Sequence, residues 1–464
     1  MRNQRNAATG SLDPLDSLGT YPLLKAILHR RSRRFGLGLD LDGGPLAYAS
    51  LHAPVALSTQ EEAVLAFAGA GLTGHVLAEL PYQTGRAAES GSGNIMFSLL
   101  GRTVASPDAL HNVSLFVIND AGTYMVKRPQ DLERREIPEL LRLASEGRFA
   151  EWYERSRIQV AEARVDIPRE VPYVPPFNKW VSNRPGTSYF LPINELTAVY
   201  INIMLSALSE GFGYYVLDER NGFAPAGLGE FARSRGGHLQ DDPTRGRVTT
   251  VQALESWLLE LAAIEQGFMI QNLALAAEAL GLGGFPHFAA HPFAWFQAIG
   301  FELGEVAFSR TLGLEGPGGP PFDVPVPVPL RLERNGTALI APYCPPNYPS
   351  MADAVHALVK CKFASEHGAF RSASPLSPWK DTHRVQAGIP EYSDRTIAAT
   401  IAYCEYIHGR YGRFPAAFGP FRTVLAYQAH HLDLEFYDRF YTPGACTDAH
   451  RDHFRIWHGH GGAC

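Results

Sequence analysis

Apolar residues recur at helical spacing in several long segments of the chain and alternate with polar residues only in short ones. The strongest helical pattern covers Thr250–Leu282, where small and apolar side chains fall on nearly every side until a glycine cluster ends the helix. Thr249, followed three residues later by Gln252, predicts a capping box at its start. We expect a central, buried helix here.

Shorter patterns complete the expected elements. Ser114–Ile118 and Thr123–Val126 flank a turn that contains glycine, which predicts a hairpin of two strands. A further strand is predicted over Tyr214–Leu217. Helices are predicted over Tyr21–Arg33, Thr59–Ala70, 129–165, Asn194–Glu210, 351–364, 393–410 and 423–441. Few strands among many helices favour the α+β fold class.

Proline and glycine mark one compositional boundary. Gly316–Pro321, followed by prolines at alternate positions, is the clearest linker-like tract of the chain. We therefore predict a polar leader over residues 1–20, a main domain over 21–315 and a helical C-terminal extension over 316–464.

Composition and charge narrow the function classes. The 464 residues are 45% hydrophobic and carry a formal net charge of −6, so no general positive field attracts nucleic acid or anionic lipid. The longest apolar run, Val199–Leu208, is too short for a membrane span, and Met1–Asp16 lacks the apolar core of a secretory signal. The five cysteines form no Cys-x-x-Cys pair, so neither a disulfide framework nor a zinc ribbon is expected. These features predict a cytoplasmic protein without nucleic-acid or membrane partners.

The first candidate for chemistry is the run Arg30–Phe35, with the sequence Arg-Arg-Ser-Arg-Arg-Phe. Guanidinium groups supply positive charge and forked donors, and the serine adds a neutral donor, which together suit a phosphate ester. The alternative is a solvated basic end of a helix, where cations also interact favourably with the helix dipole.

Two further stretches follow this run along the chain. Gly101–Asn112, with the sequence Gly-Arg-Thr-Val-Ala-Ser-Pro-Asp-Ala-Leu-His-Asn, directly precedes a predicted strand, and the long helix ends in Ala279–Gly284. Taken together, the three stretches resemble the FMN-dependent nitroreductase family, most closely its branch that oxidises azoline rings in peptide natural products. The resemblance covers about residues 21–126 and 250–310, and it makes 127–249 an insertion in the flavin domain.

The resemblance implies that FMN is the cofactor and that the arginine run binds it. Arg30 and Ser32 would reach the phosphate and the ribityl chain, with Arg31 as an additional contact. Arg34 would lie at the N1/O2 edge of the ring, where a cation favours the reduced, anionic flavin.

The resemblance also implies contacts from two other parts of the chain. Three residues of the loop before the strand would face the flavin: Ser106, Leu110 and His111. The backbone N–H of either Phe288 or Ala289 would donate a hydrogen bond to N5. Tyr189 and His111 are the candidate catalytic side chains. No catalytic acid or base is otherwise assigned.

As a whole, the resemblance predicts an oxidoreductase that transfers hydride between FMN N5 and an organic substrate. It implies a mixed, mostly antiparallel sheet flanked by helices, with the long helix in a homodimer interface. NADPH or NADH would bind transiently, and the substrate would be a small molecule or a modified peptide. The chain has no GxGxxG after a predicted strand and no GxxxxGK[ST], so a Rossmann or P-loop site is not supported.

The histidine-rich C-terminus supports a different hypothesis. On a helix, His431 and Glu435 would share a face at i, i+4, and His430 and Asp433 at i, i+3, a geometry that could hold Zn or Fe in a hydrolase or oxygenase. The alternative is a polar helix face satisfied by ion pairs, and neither HExxH nor HxxEH is present. A third hypothesis is a non-catalytic relative that uses the fold to bind a ligand.

Overall fold

The computed structural model describes residues 14–77, 95–97, 99–288, 291–314, 323–365, 368–371 and 376–459. The helices are α1 (Pro14–Gly19), α2 (Leu23–His29), α3 (Thr59–Ala70), α4 (Ile137–Ser145), α5 (Phe149–Ser156), α6 (Thr197–Ala207), α7 (Val251–Leu280), α8 (Pro292–Ile299), α9 (Phe308–Leu312), α10 (Met351–Phe363), α11 (Thr382–Ala387), α12 (Asp394–Tyr411), α13 (Leu434–Phe440) and α14 (Asp448–Trp457).

The strands are mostly short and lie in several sheets. They are β1 (Asp40–Leu41), β2 (Tyr48–Ala49), β3 (Leu72–His75), β4 (Leu100–Arg102), β5 (Val113–Asn119), β6 (Gly122–Val126), β7 (Arg157–Ala161), β8 (Ser188–Glu195), β9 (Tyr215–Asp218), β10 (Ala224–Pro225), β11 (Val248–Thr250), β12 (Gly283–Phe288), β13 (Phe301–Ala307), β14 (Pro325–Arg334), β15 (Thr337–Ile340), β16 (Phe421–Arg422) and β17 (Leu425–His430).

The main sheet is antiparallel at every strand pair and has the order β12-β17-β8-β5-β6-β7, with β16 paired to the end of β8. Strands β5 and β8 are buried along their whole length. Within the described residues, parallel pairing of named strands occurs only between β9 and β11 of a separate sheet. Helices and antiparallel sheet together confirm the α+β class.

The two faces of the main sheet pack against different partners, because side chains alternate along a strand. Leu115 and Val117 of β5 face a core formed with α3 and α7. Phe116 and Ile118 face the opposite core, which includes Trp295 of α8 and residues of β13 and β14. A third core joins α6, α10 and α12 to the first half of α7.

The long predicted helix is confirmed as α7, which packs against α3 and the main sheet. Its cap is Thr250, one residue after the predicted one, and the Thr250 hydroxyl accepts a hydrogen bond from the N–H of Ala253. Gly281 ends the helix with φ of 80°, and a Cβ there would lie 2.1 Å from the carbonyl oxygen of Ala449. Glycine therefore allows both the left-handed conformation and the close approach of α14.

The hairpin of β5 and β6 is confirmed, and β9 corresponds to the strand predicted over Tyr214–Leu217. The helix predicted over 423–441 is wrong: β17 occupies its first part and α13 begins only at Leu434. The predicted Asn194–Glu210 helix begins later, because β8 extends to Glu195. In the 129–165 segment, two helices are followed by strand β7.

The segment predicted as a C-terminal extension takes part in the main sheet. β17 lies between β12 and β8, and pairs with both. The 316–464 segment also contributes β14 and β15 to a small sheet. A separate helical extension is therefore not confirmed. Among the described helices, none is both long and apolar enough to cross a membrane.

Candidate functional site

The arginine segment, residues 30–35, lies beside the glycine end of α7. Helix α2 ends at His29, and the chain then becomes extended. Arg33 forms an antiparallel bridge with Gly284, with the Arg33 N–H donating to the Gly284 carbonyl at 3.1 Å. Two of the stretches on which the flavin prediction depends are thus in direct contact.

Arg33 itself is a structural residue. It is 3% exposed, and its Nη1 lies 2.7 Å from Oε2 of the buried Glu278 on α7. Its Nε also donates to the Ala445 carbonyl at 2.7 Å. The Arg33 guanidinium therefore connects the arginine segment to α7 and to the chain before α14.

Arg34 points into a mixed aromatic and polar group. It donates to Asn178 Oδ1 at 2.6 Å, and its guanidinium carbon lies 4.8 Å from the centre of the Phe285 ring and 5.3 Å from that of Trp180. Burial lowers the pKa of Arg34. Its Nε is buried without a hydrogen-bond partner among the described residues.

His287 on β12 is the neighbour of Arg34 that sequence reasoning missed. Burial, followed by the charge of Arg34, lowers the pKa of His287 to about 4, so its ring is neutral near pH 7. Its Nε2 is also buried without a hydrogen-bond partner in the described part of the chain. Arg34 Nε and His287 Nε2 are thus two buried polar atoms that lack a hydrogen-bond partner among the described residues.

Strand β12 offers backbone donors beside the same segment. It is an edge strand, and the bridge to Arg33 directs the polar backbone groups of Gly284 towards the open edge. By the alternation of an antiparallel strand, Pro286 and Phe288 face the same way, and Pro286 has no N–H. Phe288 is 68% exposed, while Ala289 lies outside the described residues.

The remaining arginine-segment residues are accessible. Arg31 and Ser32 are exposed, and Arg30 is half-buried. Arg31 Nη1 donates to the carbonyl oxygens of Leu28 and Arg30, at 3.1 and 2.9 Å. These groups are therefore presented to solvent at the end of α2.

The loop before β5 lies elsewhere along α7. Ser106 Oγ accepts a hydrogen bond from the His111 N–H at 2.9 Å, and Leu110 is buried in the core that contains α6. His111 is 3% exposed, and its Nδ1 lies 3.9 Å from Oε1 of Glu265. Glu265 and Glu278 are 13 positions apart on α7 (278 − 265), which corresponds to roughly 20 Å along the helix. Within one chain, this loop and the arginine segment contact separate parts of α7.

Burial dominates the electrostatics of that loop. It raises the pKa of Glu265 to about 7 and lowers that of His111 to about 3, with the charge of Arg102 as the second cause for each group, acting to lower both. Arg102 is itself buried and donates to the Val113 carbonyl at 2.7 Å. The pair Glu265 and His111 is therefore close to neutral in the folded protein at moderately acid pH.

Tyr189 lies inside β8 and is 1% exposed. Its ring stacks on Trp295 at 5.0 Å and meets His287 edge-on at 5.1 Å. Burial raises the pKa of Tyr189 well above its ordinary value. Tyr189 therefore contacts His287, the neighbour of Arg34, from within the sheet.

The helix on which both C-terminal hypotheses depended is not formed by these residues. His430 is the last residue of β17, and His431 precedes α13, so neither shares a helix face with Asp433 or Glu435. Asp433 instead caps α13 by accepting from the Phe436 N–H at 3.0 Å. His431 approaches Glu61 of α3, a partner that the sequence pattern did not indicate.

A cleft of about 350 Å³ lies at the basic turn that follows α12. Its lining includes His408, Arg413 and Leu330. Arg413 donates to the carbonyl oxygens of Ala416 and Ala417, at 2.6 and 2.8 Å. The guanidinium thus supports the turn itself.

No protein-family model matches the chain, and no curated protein matches it in sequence. A solved structure of a candidate nitroreductase from Ralstonia eutropha JMP134 matches with 11% sequence identity and a TM-score of 0.26, covering 64% of this chain and 79% of that chain. A likeness with this TM-score supports neither a fold nor a function. The family resemblance therefore remains a prediction.

Proposed function

We propose that the protein is a flavin-dependent oxidoreductase that binds FMN along the arginine segment and the open edge of β12. The observation that supports this most directly is the bridge between Arg33 and Gly284. This bridge places the arginines of residues 30–34 and the Ser32 hydroxyl beside β12, the edge strand that begins at the glycine end of α7.

The residues present fit a flavin nucleotide. Arg31 and Ser32 are exposed donors of the type that binds a phosphate ester. Arg34 Nε and His287 Nε2 are buried polar atoms without hydrogen-bond partners among the described residues, and they lie in the neighbourhood of Phe285. A flat ring with polar edges would meet both aromatic and polar groups here.

When bound, FMN would supply reversible hydride acceptance at N5. The chain would hold the phosphate with Arg30, Arg31 and Ser32, and would place the Arg34 cation near the ring edge. A fixed cation in a partly buried site favours negative charge on a ligand without reorganisation of solvent. The backbone N–H of Phe288 is the candidate donor from β12.

We propose a homodimer built on two apolar helix faces. On α7, Trp257, Ile264 and Phe268 share one face at intervals of seven and four residues and are 41–45% exposed. On α2, which packs against α7, the leucines and isoleucine of one face are 52–79% exposed: Leu23, Leu24, Ile27 and Leu28. Apolar surface of this kind is typical of a protein interface. The partner would be a second copy of the chain.

NADPH or NADH would act as a transient reductant, and a small molecule or modified peptide as substrate. The test is an absorbance spectrum of the purified protein, before and after addition of FMN and removal of the excess. We expect the visible absorption bands of a bound flavin, and their loss on anaerobic addition of NADPH or NADH. A protein that remains colourless after incubation with FMN contradicts the proposal.

A further inference from the structure

Four side chains from three distant segments meet in the interior, and we call them the histidine cluster: Glu61, His431, His453 and His458. Glu61 is on α3, His431 follows β17, and the other two histidines are on α14 and directly after it. Oε1 of Glu61 lies 3.2, 2.8 and 3.3 Å from the Nε2 atoms of His431, His453 and His458. All four ligand atoms are within 4.8 Å of one another.

Backbone contacts orient two of the rings. Nδ1 of His431 lies 3.0 Å from the Val55 carbonyl oxygen, and Nδ1 of His453 lies 2.8 Å from that of Leu280. A carbonyl oxygen can only accept, so each Nδ1 carries the proton. In a neutral imidazole, Nε2 then has a lone pair and no proton. Both lone pairs face the same carboxylate oxygen.

Two lone pairs against a carboxylate repel unless a proton or a metal cation lies among them. His453 is 2% exposed, and its Nε2 makes no hydrogen bond with the described residues although it is 2.8 Å from Glu61 Oε1. The carboxyl group of Glu61 therefore faces the Nε2 atoms of three imidazoles, two of which carry their proton on Nδ1.

We propose that Glu61, His431, His453 and His458 bind one Zn²⁺ ion. Imidazole nitrogens and a carboxylate oxygen are zinc ligands, and four protein ligands are typical of a closed structural site. A tetrahedral ion with bonds of about 2.1 Å separates its ligand atoms by roughly 3.4 Å. The distances from Glu61 are near this value, and the four ligand atoms lie within 4.8 Å of one another, so the rings would move inward when the ion binds.

The Nδ1 contacts of His431 and His453 with backbone carbonyls are the usual outer partners of metal-bound histidines. The ion would join α3, the end of β17 and α14. His431 is also the residue whose carbonyl oxygen accepts the Leu37 N–H at 3.1 Å, just beyond the arginine segment. The proposed metal would thus stabilise the position of that segment, while four protein ligands leave no open position for catalysis.

The test measures metal on the full-length protein, whether or not flavin is bound. We expect about one zinc per chain by elemental analysis, a lower Tm after treatment with a chelator, and recovery of Tm with Zn²⁺. Co²⁺ in place of Zn²⁺ should give the visible absorption of a tetrahedral ion. The His458→Ala, His453→Ala and Glu61→Gln variants should lose most of the bound metal, and the exposed His356→Ala variant should retain it.

His458 is the most exposed of the four, with 24% of its side chain accessible, so His458→Ala is the variant whose core is disturbed least. If a variant fails to fold, the wild-type chelator and Co²⁺ measurements decide. Wild-type protein without zinc that neither gains Tm with Zn²⁺ nor shows a Co²⁺ spectrum would overturn the proposal. Folded ligand variants that retain their metal would overturn it as well.

Discussion

The arginine segment and the histidine cluster are neighbouring polar regions with opposite character. The arginine segment presents cations to solvent, and its one buried ion pair among the described residues, between Arg33 and Glu278, fixes its position. In the histidine cluster, Glu61, His431 and His453 are buried and His458 is partly accessible, and the carboxylate faces the Nε2 atoms of the surrounding histidines. On the two proposals, the first region would receive an anion from outside and the second would enclose a cation. The hydrogen bond from Leu37 to His431 joins them.

The largest effect is expected from Arg33→Ala, which tests whether this residue positions the segment. It leaves the carboxylate of Glu278 buried without its cation, which costs about 3–5 kcal/mol of unfolding free energy. Denaturant unfolding measures this loss. The matched control is Arg451→Ala, which breaks the exposed pair with Asp438 and should cost less than about 1 kcal/mol. Equal effects of the two changes would show that the buried pair does not anchor the segment.

The double change Arg30→Ala/Arg31→Ala separates binding from stability. Because neither guanidinium is in a buried ion pair of the described structure, Tm should change little. FMN affinity should fall at least tenfold, since a charge-assisted hydrogen bond contributes about 1.5–3 kcal/mol. Fluorescence titration with FMN measures it. The control is Arg135→Ala. The Arg135 side chain is 83% exposed and is distant in sequence from the arginine segment, so this variant should bind FMN like the wild type.

A charge on the exposed face of α7 tests the proposed dimer. Ile264→Glu should shift the protein towards monomer in size-exclusion chromatography with light scattering, because a buried carboxylate in an apolar interface is unfavourable. Gln252→Glu, near the start of the same helix, adds the same charge and should leave the oligomeric state unchanged. A wild-type protein that is already monomeric at micromolar concentration would contradict the proposed interface.

The last prediction concerns pH. The folded pKa of Glu265 is raised to about 7 from an ordinary value of 4.5, so between these values the folded state holds a proton that the unfolded state releases. This contribution to stability is fully present below pH 4.5 and is lost as the pH rises towards 7. Glu265→Gln should remove that part of the pH dependence, as measured by unfolding at several pH values. The exposed Glu260→Gln should leave the wild-type profile intact.

Local pattern was enough to predict α7 and the β5–β6 hairpin, because each is a continuous segment with its own periodicity and end signals. It failed for β17, whose residues are buried on both faces, so that polar and apolar positions do not alternate. The periodicity of a buried segment without such alternation does not distinguish helix from strand.

The candidate site, too, could be predicted only where it depends on local sequence. The arginine run and the glycine end of α7 were recognised from local sequence, and the structure brings them together. The partnership of Glu61 with His431 was not, because the two residues are 370 positions apart and each has an ordinary local context. His287 was missed for a similar reason. Its proximity to Arg34 is a result of tertiary packing, and no local sequence pattern indicates it.

The most direct test of the central claim compares FMN with riboflavin, which has the same ring and no phosphate. If the cations at the end of α2 bind the nucleotide, wild-type protein should bind FMN at least tenfold more tightly than riboflavin, and Arg30→Ala/Arg31→Ala should remove that difference. Equal affinity of the wild type for both ligands, or an undiminished preference for FMN in the double variant, would contradict the account.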